Sequence, residues 1–248
     1  LLSTTDGQGG QTSHERQTST NQLISLTDKG GRKTSYTYYE NGNIQTTTDP
    51  ASNVTSYEYD LTLNKPTKIT DALGNVTTLT YDSKGNLIKA ISPQQSAISF
   101  TYNSYGKPIT ITDALNNTST FTYDSYGNMI KTTDPLGNTA QMEYDGIGRL
   151  LKSTDPKGKN TRYIYDLMNM IKEVTDALNG KTTFTYDPNC NLLTVTDAKN
   201  QKITYTYNVR DKVATMIDQL GKAETYSYDK SDNLVSVKDR KGQTMTFS

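Results

Sequence analysis

The chain has 248 residues and a mass of 27.5 kDa, enough for one large domain or two ordinary ones. Its 26 basic and 26 acidic side chains cancel, which removes the positive surplus a nucleic-acid binder needs; no apolar run is long enough to span a membrane, and a single Cys excludes an intramolecular disulfide framework. Leu, Ile, Val and Phe supply only 45 residues, a share that raises the question of disorder, while 41 Thr and 18 Tyr favour strands, so pattern must decide.

In chain order, residues 1–27 come first. Asp6 stands 22 residues before Asp28, but Arg16 occupies the place where a Tyr is due, so this stretch reads as a degenerate N-terminal repeat. From Asp28 a period of about 21 residues takes over. Tyr occurs at Tyr38, Tyr59, Tyr81, Tyr102, Tyr123, Tyr144, Tyr165, Tyr186, Tyr207 and Tyr228, every step being 21 residues except the 22 between Tyr59 and Tyr81. The residue after each is Asp60, Asp82, Asn103, Asp124, Asp145, Asp166, Asp187, Asn208 or Asp229; only Tyr39 departs. Ten residues before each Tyr sits a second Asp (Ser92 being the one substitute). A disordered tract would not hold this register, and residues 28–248 read as about ten repeats, cut mid-repeat at Phe247-Ser248. The chain is thus expected to be a piece of a longer polypeptide.

Each repeat predicts two strands and two turns. In Thr118–Asp124 the large residues Phe121 and Tyr123 alternate with Thr120 and Thr122, the period of a half-buried strand. The position two before each repeat Tyr is large in all ten copies, and the position between is polar in nine, Ile164 being the exception. Aromatic ladders along one face follow. On that reading Tyr123→Ala removes an interior ring at a cost of roughly 3–5 kcal/mol. The turns carry Gly, Asn or, at Asp211 and Asp232, Asp at the position where Gly and Asn best tolerate positive φ, and the Asp at the head of a turn accepts backbone N–H bonds. Cys190, Ser52 and Gln95 break this series, which predicts distortion or a different turn there. The other strand is ambiguous. Leu23, Ile44, Leu87, Leu150 and their equivalents lie five before the second Asp, yet Ile69, Ile111, Val174, Val195 and Val237 lie two before it, on the opposite parity. Either a bulge reconciles them or both faces are partly covered.

The unit, for example F-T-Y-D-S-Y-G-N-M-I-K-T-T-D-P-L-G-N at Phe121 to Asn138, resembles the YD repeat of the Rhs family. That family includes bacterial Rhs polymorphic toxins, the B/C components of insecticidal toxin complexes, wall-associated proteins and the teneurins. The resemblance runs from Asp28 onward. It implies an all-β fold of tandem β-hairpins in a long curved antiparallel sheet, part of a spiral shell that in toxin members encloses a cytotoxic C-terminal domain. What it implies here is a non-catalytic structural segment, secreted or at the cell surface. Its partners would be the rest of the same polypeptide and an enclosed toxin domain. The alternative is an extracellular adhesion or carbohydrate-binding surface with a glycan as partner.

Chemistry is sparse. One His (His14) and one Cys (Cys190) stand far apart in sequence, and no nucleophile-elbow, phosphate-loop or zinc motif occurs. The Asp residues are spread one per turn rather than clustered as a calcium loop requires, so Asx turns are the better reading. Asp134-Pro135-Leu136-Gly137 resembles part of the aspartyl autoprotease motif of Rhs toxins, but the same frame recurs at Asp71-Ala72-Leu73-Gly74 and marks a repeat turn. No catalytic residue, metal or cofactor is expected. The residues that matter are structural: the ten repeat Tyr and Asp60, Asp82, Asp124, Asp145, Asp166, Asp187 and Asp229.

Overall fold

The computed structural model describes residues 2–5 and 9–247; Asp6 and Ser248 lie outside them. The described residues form 24 strands, from Leu2–Thr5 to Thr244–Thr246, and no helix. The chain divides into two compact units, residues 1–121 and 122–248, the boundary falling within the strand Thr118–Tyr123. Within each unit, paired strands are antiparallel neighbours in the chain. In the first, Ala97–Tyr102 pairs with Pro108–Thr112. In the second, Thr139–Tyr144, Leu150–Thr154, Asn160–Tyr165 and Ile171–Thr175 pair in succession. The fold is all-β, a meander of tandem hairpins.

A recurring bulge resolves the conflict of parity. Glu143 lies opposite Lys152 but Tyr144 opposite Leu150, so Leu151 is the extra residue. The same shift puts Tyr38 opposite Ile44, Tyr81 opposite Leu87, Tyr165 opposite Ile171 and Tyr228 opposite Leu234. One added residue carries the strand back to the face it left. The apolar residue two before the second Asp therefore meets the aromatic two before the Tyr: Tyr57 faces Ile69, Phe100 faces Ile111, Tyr163 faces Val174 and Phe184 faces Val195. The repeat Tyr, the residue two before it and the residues paired with them thus end on one face.

That face is half-buried. Each repeat Tyr and the residue two before it are of intermediate exposure, and the residue between is exposed in all ten copies, Ile164 included. No described hydrophobic side chain is fully buried; Ser25 and Asp218 are the only buried residues among those described. The 3–5 kcal/mol expected for Tyr123→Ala presumed an interior ring. Rings covered only by in-sheet neighbours forfeit part of the area term, and the expected cost falls accordingly. The opposite face is stitched across strands by hydroxyl pairs such as Thr37 with Thr46 and Thr185 with Thr194, each 2.7 Å, and by Lys152 Nζ to Glu143 Oε1 at 2.7 Å.

Both kinds of turn share one geometry. The head residue's N–H donates to the carbonyl four residues on, and its own carbonyl accepts the N–H of the residue three on, as in Asp134 N to Asn138 O (2.9 Å) and Gly137 N to Asp134 O (3.0 Å). This is a type I turn closed by a left-handed residue, a common long hairpin connection. The left-handed position has φ of 82° at Gly137 and 63° at Asn116. The longer step between Tyr59 and Tyr81 is an extra loop residue. Asp60 pairs with Lys65, Asn64 has φ 55°, and Asp60 Oδ1 accepts from Thr62 N and Leu63 N, each at 2.8 Å.

Cys190, Ser52 and Gln95 do not change the turn. They take φ of 66°, 66° and 62°, and their N–H groups donate to Asp187, Asp49 and Ser92 at 3.0, 3.0 and 2.9 Å like any other. The flanking strands dictate the turn, and a residue with a Cβ bears the left-handed conformation at a cost. Replacing any of the three with Gly is expected to raise stability by about 0.5–1 kcal/mol, the left-handed strain relieved less the entropy Gly adds to the unfolded chain. Denaturant midpoints of the single variants check this. Gly137→Ala is the mirror test, since an added Cβ meets no atom within 4 Å and φ alone opposes it.

Candidate functional site: the Tyr–Asp ladder

The repeat Tyr residues close each strand beside a bulge, and the bulge gives their hydroxyls a target. Tyr38 donates to the carbonyl of Leu23 (2.7 Å), Tyr102 to Leu87 (2.7 Å), Tyr165 to Leu150 (3.0 Å), Tyr186 to Ile171 (2.9 Å) and Tyr207 to Leu192 (2.9 Å). Each acceptor is the residue paired with the preceding repeat's Tyr, or with Arg16 in the case of Leu23. Tyr186 is thus tied to Ile171, which faces Tyr165, which is tied to Leu150, which faces Tyr144. Tyr59 meets the ring of Tyr39 edge-on, and Tyr81 lies under Lys65 Nζ at 5.7 Å. Tyr123, Tyr144 and Tyr228 are half-buried on the same face of their units.

The Asp residues hold the turns. Oδ1 of Asp82, Asp124, Asp145, Asp166, Asp187 and Asp229 accepts the N–H groups two and four residues on, at 2.8–3.0 Å. Asn103 and Asn208 do the same through their amide oxygens. The side-chain amides of Asn86, Asn191 and Asn233, then the backbone N–H groups of the same residues, hold the carboxyls of Asp82, Asp187 and Asp229 below the ordinary carboxylate range. Asp145 is held down first by the N–H of Arg149, and its guanidinium adds to the effect against partial desolvation. Asp134 is a turn acceptor, taking Leu136 N at 2.9 Å and Asn138 N at 2.8 Å, as Asp71 takes Leu73 N and Asn75 N.

Successive turns also touch one another, which strand alternation does not reveal. Arg149 Nη1 donates to Asn169 Oδ1 (2.7 Å), Asn191 Nδ2 to Asp211 Oδ1 (2.7 Å), Lys84 Nζ to Ser104 O (3.0 Å) and Arg210 Nη1 to Lys230 O (2.9 Å). Their signal in the sequence is a long polar side chain recurring in the turns that follow the repeat Tyr. His14 lies in the strand Gln11–Arg16 and Cys190 is exposed in a turn of the other unit. Among the described residues no three His, Cys, Asp or Glu side chains gather where a metal ion would be held, and no helix is long and apolar enough to cross a membrane.

Tyr226 differs from the other Tyr residues. Burial first, then a 2.7 Å hydrogen bond from its hydroxyl to Glu224 Oε1 and that carboxylate's charge, push its phenol up to about 12. Burial also raises the phenols of Tyr59, Tyr81, Tyr102, Tyr186 and Tyr207, so ultraviolet titration is expected to show a group of late phenols with Tyr226 the last, and Glu224→Gln to bring it back toward that group. The raised value places this contribution to stability below about pH 10, to be lost as pH climbs toward 12.

The family model for the teneurin YD-shell matches residues 17–159 and 93–202, together about three quarters of the sequence. The chain belongs to the teneurin YD-shell family. Among solved structures, this YD-shell chain is similar to the crystal structure of TcdB2-TccC3-TEV, with a TM-score of 0.76 and 14% identity over 99% of this chain and 15% of that one. TcdB2-TccC3 gives 0.73 and 13% over 88% of this chain and 14% of that one. The Photorhabdus luminescens Tc holotoxin pore carrying a TccC3 mutation gives 0.57 and 15% over 92% and 15%. The YD-shell chain therefore spans about one seventh of the length of those proteins, and the likeness is one of fold. No curated protein matches the sequence.

Proposed function

We propose that this chain is a non-catalytic wall segment of a YD shell that encloses or presents an attached domain, a toxin domain being the best-supported cargo, in a secreted or cell-surface protein. The observation that carries the reading is regularity. Repeat after repeat has the same bulge, the same turn and the same two faces. Backbone groups are satisfied in ladders and turns, as a barrier requires. Membership in a shell family supports it, as does the fold shared with proteins described as a Tc holotoxin. On this reading residues 1–27 are a degenerate repeat: Arg16 stands in the Tyr position, pairs with Leu23 and shows the same register shift. The repeat Tyr and turn Asp residues build the wall and perform no chemistry. The test is imaging of the full-length protein together with protease digestion. An enclosed lumen and a protected attached domain are expected; an open ribbon with that domain freely digested overturns containment.

The adhesion reading keeps one observation of its own. Tyr105 and Tyr126 occupy the same turn position in consecutive repeats and are 83% and 81% exposed, the presentation that sugar stacking uses. A glycan array would favour it if binding were found and lost in Tyr105→Ala/Tyr126→Ala.

A further inference from the structure

The repeat departs from its own rules twice in succession, and both departures border one cavity. Tyr39 is the only residue in ten to replace the Asp or Asn after the repeat Tyr, and the next such turn, Asp60–Lys65, carries an added residue, as does Gln17–Gln22 among the described residues. Between them lies an open concave site of about 480 Å³ lined by Tyr39, Glu40, Asn41, Glu58, Tyr59 and Leu61. Tyr39 keeps the backbone bonds of a turn head, Tyr39 N to Asn43 O at 2.8 Å and Gly42 N to Tyr39 O at 2.9 Å, but it has no carboxylate or amide oxygen to accept the N–H groups two and four residues on. Asn41 Oδ1 instead takes Asn43 N at 3.1 Å. The Tyr39 hydroxyl donates to the carbonyl of Tyr57 at 2.9 Å, which fixes the ring across the next repeat. There its ring stands 6.2 Å from that of Tyr59 at an interplanar angle of 84°. Two rings at right angles wall a corner, with two carboxylates on its rim. Glu58 has Oε1 on Lys68 Nζ at 2.8 Å, while Glu40 makes no ion pair among the described residues.

We propose that this corner binds an alkylated ammonium group. Ring faces attract cations through their quadrupole, most effectively cations too poorly hydrated to prefer water. Glu40, outside any ion pair among the described residues, adds charge of the right sign and disfavours a headgroup that carries a phosphate beside its ammonium. A choline-type cation or a methylated lysine side chain fits this chemistry; a zwitterionic phosphocholine does not.

The test uses the 248-residue chain, followed by NMR during titration with tetramethylammonium, choline, phosphocholine and ammonium chloride. Tetramethylammonium and choline are expected to shift Tyr39 and Tyr59 resonances saturably at millimolar concentration, and ammonium and phosphocholine to bind far more weakly. Tyr39→Asp restores the residue type found in the other repeats, so it is expected to fold and to weaken binding by about fivefold, the size of a cation–π contact at an exposed site. Glu40→Gln is expected to weaken it about twofold to threefold, as loss of an exposed charge does. Equal binding by Tyr39→Asp overturns the proposal, as do shifts spread evenly along the Tyr ladder or ammonium binding as well as its methylated form.

Discussion

Replacing Tyr165 with Ala is expected to destabilise residues 122–248 by about 2–4 kcal/mol, the sum of a half-buried ring, one hydrogen bond and one cation–π contact. The ring is half-buried, its hydroxyl donates to the carbonyl of Leu150 at 3.0 Å, and the guanidinium carbon of Arg149 lies 4.8 Å from its centroid. Tyr165→Phe separates the terms. It keeps ring and cation contact and leaves the Leu150 carbonyl to water, so it is expected to cost only about 1 kcal/mol. Ile164→Thr, next door on the exposed face at 51% exposure, restores the usual residue type there and is expected to stay within about 0.5 kcal/mol of the parent. Stacked repeats share energy mainly with neighbours, and long arrays lose two-state behaviour. Amide exchange along Asn160–Tyr165 and Leu150–Thr154 is therefore the better readout than a single melting point. Equal costs for Tyr165→Phe and Tyr165→Ala would mean that the ring contributes nothing and the proposed facial packing is wrong.

The same residues show what sequence reveals in a repeat of this kind. The half-buried and exposed positions around Tyr165 follow directly from period-2 alternation, because a strand paired on both sides has only two faces to offer. The left-handed positions were equally legible: Gly137, Asn116, Gly158 and their counterparts all have positive φ, since local sterics admit few alternatives. The bulge was harder to read. Leu150 and Ser153 stand three apart, and Ile171 and Val174 likewise; only the register with the partner strand shows that the odd spacing returns both to one face. At Cys190, Ser52 and Gln95 the preference of a single residue points away from the turn that forms, because it carries nothing of the ladders on either side. Those ladders fix the turn more strongly than one side chain resists it. Tyr39 stood out in the sequence as an exception, yet its use depends on where Tyr57 and Tyr59 lie in the next hairpin, and alternation within one strand carries no such information.

Stability is expected to fall in acid, and the turns are the reason. Asp28, Asp49, Asp71, Asp82, Asp113, Asp124, Asp134, Asp145, Asp187, Asp218 and Asp229 all have carboxyls held below their ordinary value. At Asp71 the leading cause is the side-chain amide of Asn75, with the N–H groups of Asn75 and Leu73 behind it. Asp124 is first pushed up by desolvation, and Asn128 and the N–H of Tyr126 outweigh that. A carboxyl that gives up its proton more readily when folded leaves the unfolded chain binding more protons in acid. Its contribution is complete above the unfolded value near 3.8 and is lost as pH falls through the lower folded value. Eleven small contributions of one sign accumulate. The thermal midpoint is expected to hold steady from about pH 7 to 5 and then to drop with increasing slope below about pH 4. Generic charge repulsion in acid would produce a similar curve, so the comparison that matters is with Asp71→Asn, Asp113→Asn and Asp134→Asn combined. Asn103 and Asn208 show that an amide oxygen accepts the same two N–H bonds. The triple variant is expected to be less stable at neutral pH, having lost charge-assisted bonds, and to have a visibly flatter acid limb. A variant whose acid limb runs parallel to that of the parent would place the proton uptake somewhere other than the turns.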